Sequence, residues 1–250
     1  MSRGEHDALP IWVRPAPGER KPAHSREQIV ETALKIADAE GFEAVSMRRI
    51  AAELGAGTMT LYHYVRNRGE LIALISDAVM GELLVPDDEL PAGWREGMAE
   101  IARRTRRVFT THEWIVEHLD DGDQGPAGPN AMRHIEQSLE VAARTGVGVE
   151  EQLELVALVD DYVFGHAIRA RESAQAMGDE GFAAKLEAAQ AYLETQLATG
   201  EFPHLRELFG DDARGRLARL AQLGAAEERF ERGLQRLLDG IERDVERRRP

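Results

Sequence analysis

An all-α fold is predicted by three observations on this chain. Two segments carry a helix-starting box, Ser25-x-x-Gln28 and Asn67-x-x-Glu70, in which a short polar side chain and one three residues on satisfy each other's backbone N–H groups. Apolar residues recur at helical spacing, as Ile29, Ala33, Ile36 and Ala37 near the start and as Phe230, Leu234, Leu237, Leu238, Ile241 and Val245 near the end. Glycine and proline interrupt those stripes at Gly41, Gly55-Ala56-Gly57, Val85-Pro86 and Gly146-Val147-Gly148, where a helix must stop. Two hundred and fifty residues suffice for one small and one medium helical domain, each with its own core.

Residues 1–24 hold four of the ten prolines together with Arg14, Arg20 and Lys21, and read as a flexible arm. Its basic residues leave open a second reading, a strand that adds phosphate or minor-groove contacts. The first helix starts at the Ser25 box and ends at Gly41. A second is capped by Ser46 and buries Ile50, Ala51 and Leu54; the Gly55-Ala56-Gly57 turn breaks it, because glycine tolerates the positive φ of a sharp turn. A third covers Thr58–Val65. The Asn67 box opens a fourth helix to about Leu84, which leaves the small domain and enters the larger one.

Beyond a linker at Val85–Glu89 and Pro91, helices are expected at Ala92–Thr111 and His112–Leu119. A glycine/proline loop, Asp120–Asn130, follows. Its Asp120, Asp121 and Asp123 lack the glycine and glutamate register of a calcium loop, so the composition is that of an exposed turn. Helices at Ala131–Thr145 and Glu150–Arg171 come next, then one at Gly181–Ala198, an irregular segment at 199–213, and a last helix at Glu227–Arg247. The Glu150–Arg171 helix is apolar almost all round between Leu153 and Ile168, as a helix buried on every side must be. Gly233 and Gly240 share a face of the last helix, each costing about 1 kcal/mol against alanine, which a closely packed helix would offset. These features predict a two-fold dimer in which the two helices form a four-helix bundle, with Val159, Val163, Phe230, Gly233, Leu234, Leu237, Gly240 and Ile241 at the interface. An intrachain pack of the same helices is the alternative.

The second and third helices are where the chemistry gathers. Thr58, Met59, Thr60, Tyr62, His63 and Tyr64 crowd one short helix, with Arg66 and Arg68 just beyond. Hydroxyls, a thioether, an imidazole and phenols make a poor core but suit base edges and phosphates, so the pair reads as a helix-turn-helix. Thr58, Thr60 and His63 are placed to reach base edges, and Met59 to meet a thymine methyl. Arg48 is the best match to a guanine, whose O6 and N7 fit a guanidinium fork. Ser46, at a helix N-terminus, adds a phosphate contact, and Met47 is counted among the DNA-binding candidates. Leu61 and Val65 are assigned to the core, and Arg49 is equally well a solvated charge.

Several runs carry a resemblance: Ala39-Glu40-Gly41-Phe42, Arg48-Arg49-Ile50-Ala51, Thr60-Leu61-Tyr62-His63-Tyr64-Val65 and Asn67-Arg68-Gly69-Glu70-Leu71-Ile72. Over about Ser25–Leu84 the chain resembles the tetracycline-repressor (TetR) family of bacterial transcriptional regulators. Beyond that the likeness is one of pattern, in Gly128-Pro129-Asn130, Glu201-Phe202-Pro203-His204-Leu205 and Phe230 to Ile241. The resemblance implies an N-terminal three-helix DNA-binding domain (25–70) and a larger helical effector and dimerisation domain (71–250). It also implies a homodimer on a palindromic operator, released by a small, mostly apolar effector. By the same resemblance Tyr62, Tyr64, Thr58 and Arg68 look like phosphate clamps. Met59 stands where the family more often has proline or a small residue, so no base preference carries over. Polar and aromatic candidates for the effector pocket are Phe109, His112, Trp114, His118, Asn130, His134, Ile135, Tyr162, Phe164, His166 and Arg169.

Composition bounds the rest. With no cysteine, disulfides, thiol nucleophiles and thiolate metal sites are excluded. No phosphate loop, dinucleotide fingerprint, Ser-His-Asp context or metal motif is present, so neither an enzyme nor a cofactor is expected. His112 and His118, six apart, fall on different faces of a helix and do not share a metal. Residues 1–24 have no apolar core of a signal peptide, and Leu71–Met80 is too short to cross a membrane, so a cytoplasmic protein is expected. The net charge of −14 lies wholly beyond residue 70: residues 1–70 carry ten Lys/Arg and ten Asp/Glu. Screening over about 10 Å leaves phosphate contact to the local arginines. A dimeric module that sequesters a ligand without binding DNA remains the alternative.

Overall fold

The computed structural model describes residues 10–14, 24–118, 127–210, 212–223 and 226–248, with the side chains of 117 and 118 left aside. Asp120, Asp121 and Asp123 of the expected exposed turn, and the arm outside residues 10–14 and 24, lie outside the described residues. Every described element is helical. In order these are α1 (Arg26–Glu40), a 3-10 turn (Phe42–Ala44), α2 (Met47–Glu53), α3 (Thr58–Leu61), α4 (Arg68–Leu83), α5 (Trp94–Thr111), α6 (Ile115–His118) and α7 (Pro129–Ala143). Then follow α8 (Val149–Gly178), α9 (Phe182–Ala198), α10 (Pro203–Phe209), α11 (Ala213–Gln222) and α12 (Glu227–Arg248). Two compact units result, one of the described residues through Asp160 with Arg248, the other Asp161–Arg247.

In the first unit, α1 is held at its start by the full Ser25–Gln28 box and stopped by Gly41 at φ 86°. Ile29, Val30, Ala33, Ile36 and Ala37 form its buried face, against α2 and α4. Ser46 caps α2 by accepting from Arg49 N, and Asn67 caps α4 by accepting from Glu70 N. The second box is only half formed: the Glu70 carboxylate turns to Arg66 N at 2.8 Å and to Arg14 at 2.5 and 2.7 Å. That pairing corrects the expectation of a free arm for residues 10–14. Ile11 and Arg14 are buried, and Arg26 donates to the carbonyls of Ile11, Arg14 and Tyr64, stapling this short hook to the small domain.

The larger helices of this unit pack around α4, which contacts α1, α5 and α7. Asp77, buried on α4, accepts from Asn130 N and Ala131 N, both at 3.0 Å, so it caps α7 from a distant element. The Asn130 side chain returns a bond to Asp77 O. Gly128 makes room for this cap, because a Cβ there would lie 2.2 Å from Asp77 Oδ1. Gly97 of α5 similarly lets Val141 of α7 approach, with a Cβ placed 2.9 Å from its methyl.

In the second unit the structure departs from two expected boundaries. The α8 helix runs on to Gly178, since Glu172, Ala174, Gln175, Ala176 and Met177 are good helix formers and nothing breaks them earlier. The segment expected to be irregular holds α10 and the start of α11, with Pro203 at the first turn of α10 and Gly210, at φ 46°, ending it. The α12 stripe is buried at Phe230, Leu234, Leu238, Ile241 and Val245.

Candidate DNA-binding surface and effector domain

The α2–α3 pair presents its polar groups outward on an apolar base. Leu61 and Val65 are wholly buried, while Met59 is 74% and Tyr62 40% exposed. Thr60, His63, Ser46 and Arg48 are exposed, and Thr58 is half-buried. The expected third helix is shorter than Thr58–Val65. After Leu61 the backbone tightens: His63 N bonds Thr60 O and Tyr64 N bonds Leu61 O, three residues back, before Val65 N bonds Leu61 O. This turn keeps Tyr62 and His63 outward and rotates Tyr64 inward. Tyr64 is 5% exposed and Met47 7%, so both belong to the core that supports the face, a correction to their expected contact roles. The burial of Tyr64 follows from the altered helical phase after Leu61, which spacing alone does not reveal.

The arginines divide into free and committed groups. Arg49 lies 2.8 Å from Glu40 and 2.7 Å from Glu53, and these carboxylates hold its guanidinium well above its usual value. It is therefore engaged within the domain. Arg68 reaches Val45 O at 3.5 Å and sits over the Phe42 ring, 5.8 Å from its centroid, yet stays exposed. Arg48 is exposed beside the turn.

The expected effector residues separate by their surroundings. His112 and Trp114 make polar and ring contacts to the small domain and to α4. His112 Nδ1 is 2.7 Å from Asp38 of α1 and Nε2 is 3.2 Å from Glu82 of α4. Trp114 donates to the same Asp38 oxygen at 2.8 Å and stacks on Phe42, with ring centroids 5.0 Å apart. Burial works against a charged His112, but the two carboxylates outweigh it and hold the imidazole above its ordinary range. Asn130 is likewise taken by Asp77. Ile135 and Arg169 are exposed, and Phe164 half-buried. The side chain of His118 lies outside the described residues.

His134 remains as a polar handle. It is buried on α7, its Nδ1 has no hydrogen-bond partner, and burial pushes its imidazole below the usual value. Phe109 is buried at the end of α5. In the second unit Tyr162 donates to Phe230 O at 2.7 Å, and His166 meets the Phe230 ring edge-on at 5.0 Å. These contacts lie among the residues expected at the dimer surface. Val159, Val163, Phe230, Leu234 and Ile241 are covered within one chain, and Gly233 is required by Tyr162, whose hydroxyl would lie 2.2 Å from a Cβ there. Gly240 is exposed with nothing near it, and Leu237 is half-buried. A periodic apolar stripe does not distinguish an internal partner from an external one.

Comparison with known proteins bears on this geometry directly. Residues 29–75 match the family model of bacterial regulatory proteins of the tetR family, and residues 86–245 match that of the tetracyclin repressor-like C-terminal domain. The chain belongs to the TetR family. Within it, the HTH-type transcriptional repressor DrrR1 of Streptomyces coeruleorubidus is 36% identical over 238 residues, 94% of this chain and 83% of the repressor. Apo ActR from Streptomyces coelicolor superposes with a TM-score of 0.66 at 31% identity, over 92% of this chain and 99% of ActR. ActR in complex with actinorhodin gives 0.63 at 31% identity, over 87% and 95%. Transcriptional regulation through an N-terminal helix-turn-helix and a helical C-terminal domain is thus the function of this TetR regulator. Among the described residues no helix is long and apolar enough to cross a membrane.

Proposed function

We propose that this TetR regulator is a cytoplasmic, non-catalytic repressor that binds a palindromic operator as a homodimer and is released by a small molecule. The observation that carries the reading is the outward face of α3 and of the turn after it. Four polar or polarisable side chains, Met59, Thr60, Tyr62 and His63, stand exposed on a base whose Leu61 and Val65 admit no solvent. Such a rigid, polar edge suits a major groove, with recognition elements of the two protomers about 34 Å apart on one face of the duplex. Ser46, Arg48, Thr58, Met59, Thr60, Tyr62, His63 and Arg68 make the contacts. Arg48 reads a base, while Tyr62 and Arg68 fix register on phosphates.

The effector enters the C-terminal domain, and a small-molecule ligand is in keeping with the complex of the related ActR with actinorhodin. His134 is the anchoring residue: a neutral buried imidazole with an unpaired nitrogen favours a ligand hydroxyl or carbonyl that can satisfy it. The effector must bind two conformers with different affinity, and the coupling is of the usual size, about 1–3 kcal/mol. The ligand-sequestering alternative makes the opposite statement about DNA, so fluorescence anisotropy with the duplex upstream of the gene decides between them. Tyr62→Ala should weaken binding to operator and scrambled duplex alike. Arg48→Ala should lose discrimination at one base pair, about 1–3 kcal/mol. Folded dimer that fails to shift any duplex at low salt would sink the repressor reading.

A further inference from the structure

We propose that the N-terminal hook is a working part of the DNA-binding surface, in which Arg14 positions the stretch Tyr62–Arg68 and cancels the carboxylate beside it. The hook is a single tight turn, closed by Val13 N on Pro10 O and Arg14 N on Ile11 O. Ile11 is its apolar anchor at 4% exposure, and Arg14 is 8% exposed. The turn lies outside residues 29–75, the stretch that matches the family's DNA-binding part.

Three groups from the end of the recognition element converge on this hook. Arg14 Nη1 and Nη2 hold the two oxygens of Glu70 at 2.5 and 2.7 Å, a bidentate fork. Nη2 also faces Tyr64 O at 3.5 Å, and Arg26 Nε donates to the same carbonyl at 3.2 Å. Glu70 in turn accepts from Arg66 N at 2.8 Å. The backbone is thereby fixed at Tyr64 and at Arg66, on either side of the wholly buried Val65. Tyr62 and His63 precede the first fixed point and Arg68 follows the second, so the aim of all three depends on the fork.

Charge gives the fork a second role. From Leu54 to Ser76, Glu70 is the sole carboxylate. Burial works against its charge, but Arg14 and the Arg66 amide outweigh it and hold the carboxyl below its usual range, so it is ionised at neutral pH. Unpaired, that charge would stand in sequence beside Arg66 and Arg68 and repel phosphates. Arg14 is not itself a phosphate contact, because Glu70 fills its fork and its side chain is 7% exposed. It is a positioning residue. Its effect on DNA rests on the proposed placing of Tyr62, His63 and Arg68 in the groove, whereas the ordering of the stretch does not.

Hydrogen exchange and fluorescence anisotropy on the full chain separate the two statements. In free Arg14→Ala, amides of residues 62–70 should exchange about threefold faster, while those of Met47–Glu53 keep their rates. Affinity for the duplex upstream of the gene should fall about tenfold. Adding Glu70→Gln removes the bare charge and keeps an acceptor for Arg66 N, so about threefold of that loss should return. A residue serving packing alone would show no such recovery. In the double variant the slope of log K against log salt should match wild type, because the lost pair carries no net charge. A slope smaller by about one unit would make Arg14 a direct phosphate contact and overturn the positioning role. Should Arg14→Ala fail to fold, Arg14→Lys, which keeps the charge and loses the fork, should exchange faster over 62–70 and bind about threefold more weakly. Unchanged exchange in the folded variant would discard the inference. Unchanged affinity beside a weakened Tyr62→Ala would remove the hook from DNA binding and leave the repressor reading standing. Failure of wild type to bind any duplex would count against the repressor reading, and exchange over 62–70 would then decide the ordering role by itself.

Discussion

Gly233 and Gly240, seven residues apart on α12, show how one residue type serves two purposes. Gly233 is a steric requirement: a Cβ would collide with the Tyr162 hydroxyl and break its 2.7 Å bond to Phe230 O. Gly233→Ala should lower stability by about 1–3 kcal/mol in urea titration. Gly240 meets nothing within 4 Å, so in one chain Gly240→Ala should stabilise the helix by up to about 1 kcal/mol. If the same substitution instead loosens the dimer in sedimentation, the partner helix packs at Gly240. Gly128 carries the same logic as Gly233. Its replacement by alanine pushes Asp77 off the α7 cap and should cost about 1–2 kcal/mol, the worth of a strong N-cap.

The element that ties the small domain to the rest of its unit is the C-terminal end of α5 with the turn after it. His112 is clamped by Asp38 and Glu82, and Trp114 shares Asp38 while stacking on Phe42. Because the carboxylates raise the folded His112 value, its contribution is complete at pH below the ordinary histidine range and fades as pH rises through the folded value. His134, depressed by burial, works the other way: folded protein resists its protonation, so its contribution falls as pH drops below about 6.5. Comparing wild type with His112→Gln cancels the His134 effect. The variant should be less stable by about 1 kcal/mol at pH 6, with the gap closing by pH 8. A constant gap across that interval would show that the ring acts through packing alone.

At the scale of the whole molecule, the charge distribution sets how DNA is held. The −14 resides beyond residue 70, away from Arg48, Arg66 and Arg68. Contact with phosphates should therefore depend steeply on salt, while the acidic body depresses non-specific affinity. Arg68→Ala should weaken all sequences uniformly and reduce the slope of log K against log salt by about one unit. A slope that does not change would confine Arg68 to its place over Phe42 and remove it from the phosphate contacts.

Caps, turns and stripes are local, and for that reason they were legible along the chain. Ser25, Ser46 and Asn67 stand where helices begin, Gly41 and Gly55 take the positive φ values of 86° and 62°, and Ile29, Ile50, Leu61 and Val65 are buried as spacing demands. The polar edge at Met59–His63 followed from the same local pattern. What lay out of reach were partners distant in sequence. Neither the Asp77 cap of α7 nor the capture of Arg14 by Glu70 leaves a periodic trace, and the intrachain cover of Phe230 and Leu234 looks in sequence like any apolar stripe. Periodicity reports that a face must be hidden from water; only the folded chain decides which surface hides it, because contact energy depends on proximity in space and not on separation along the backbone.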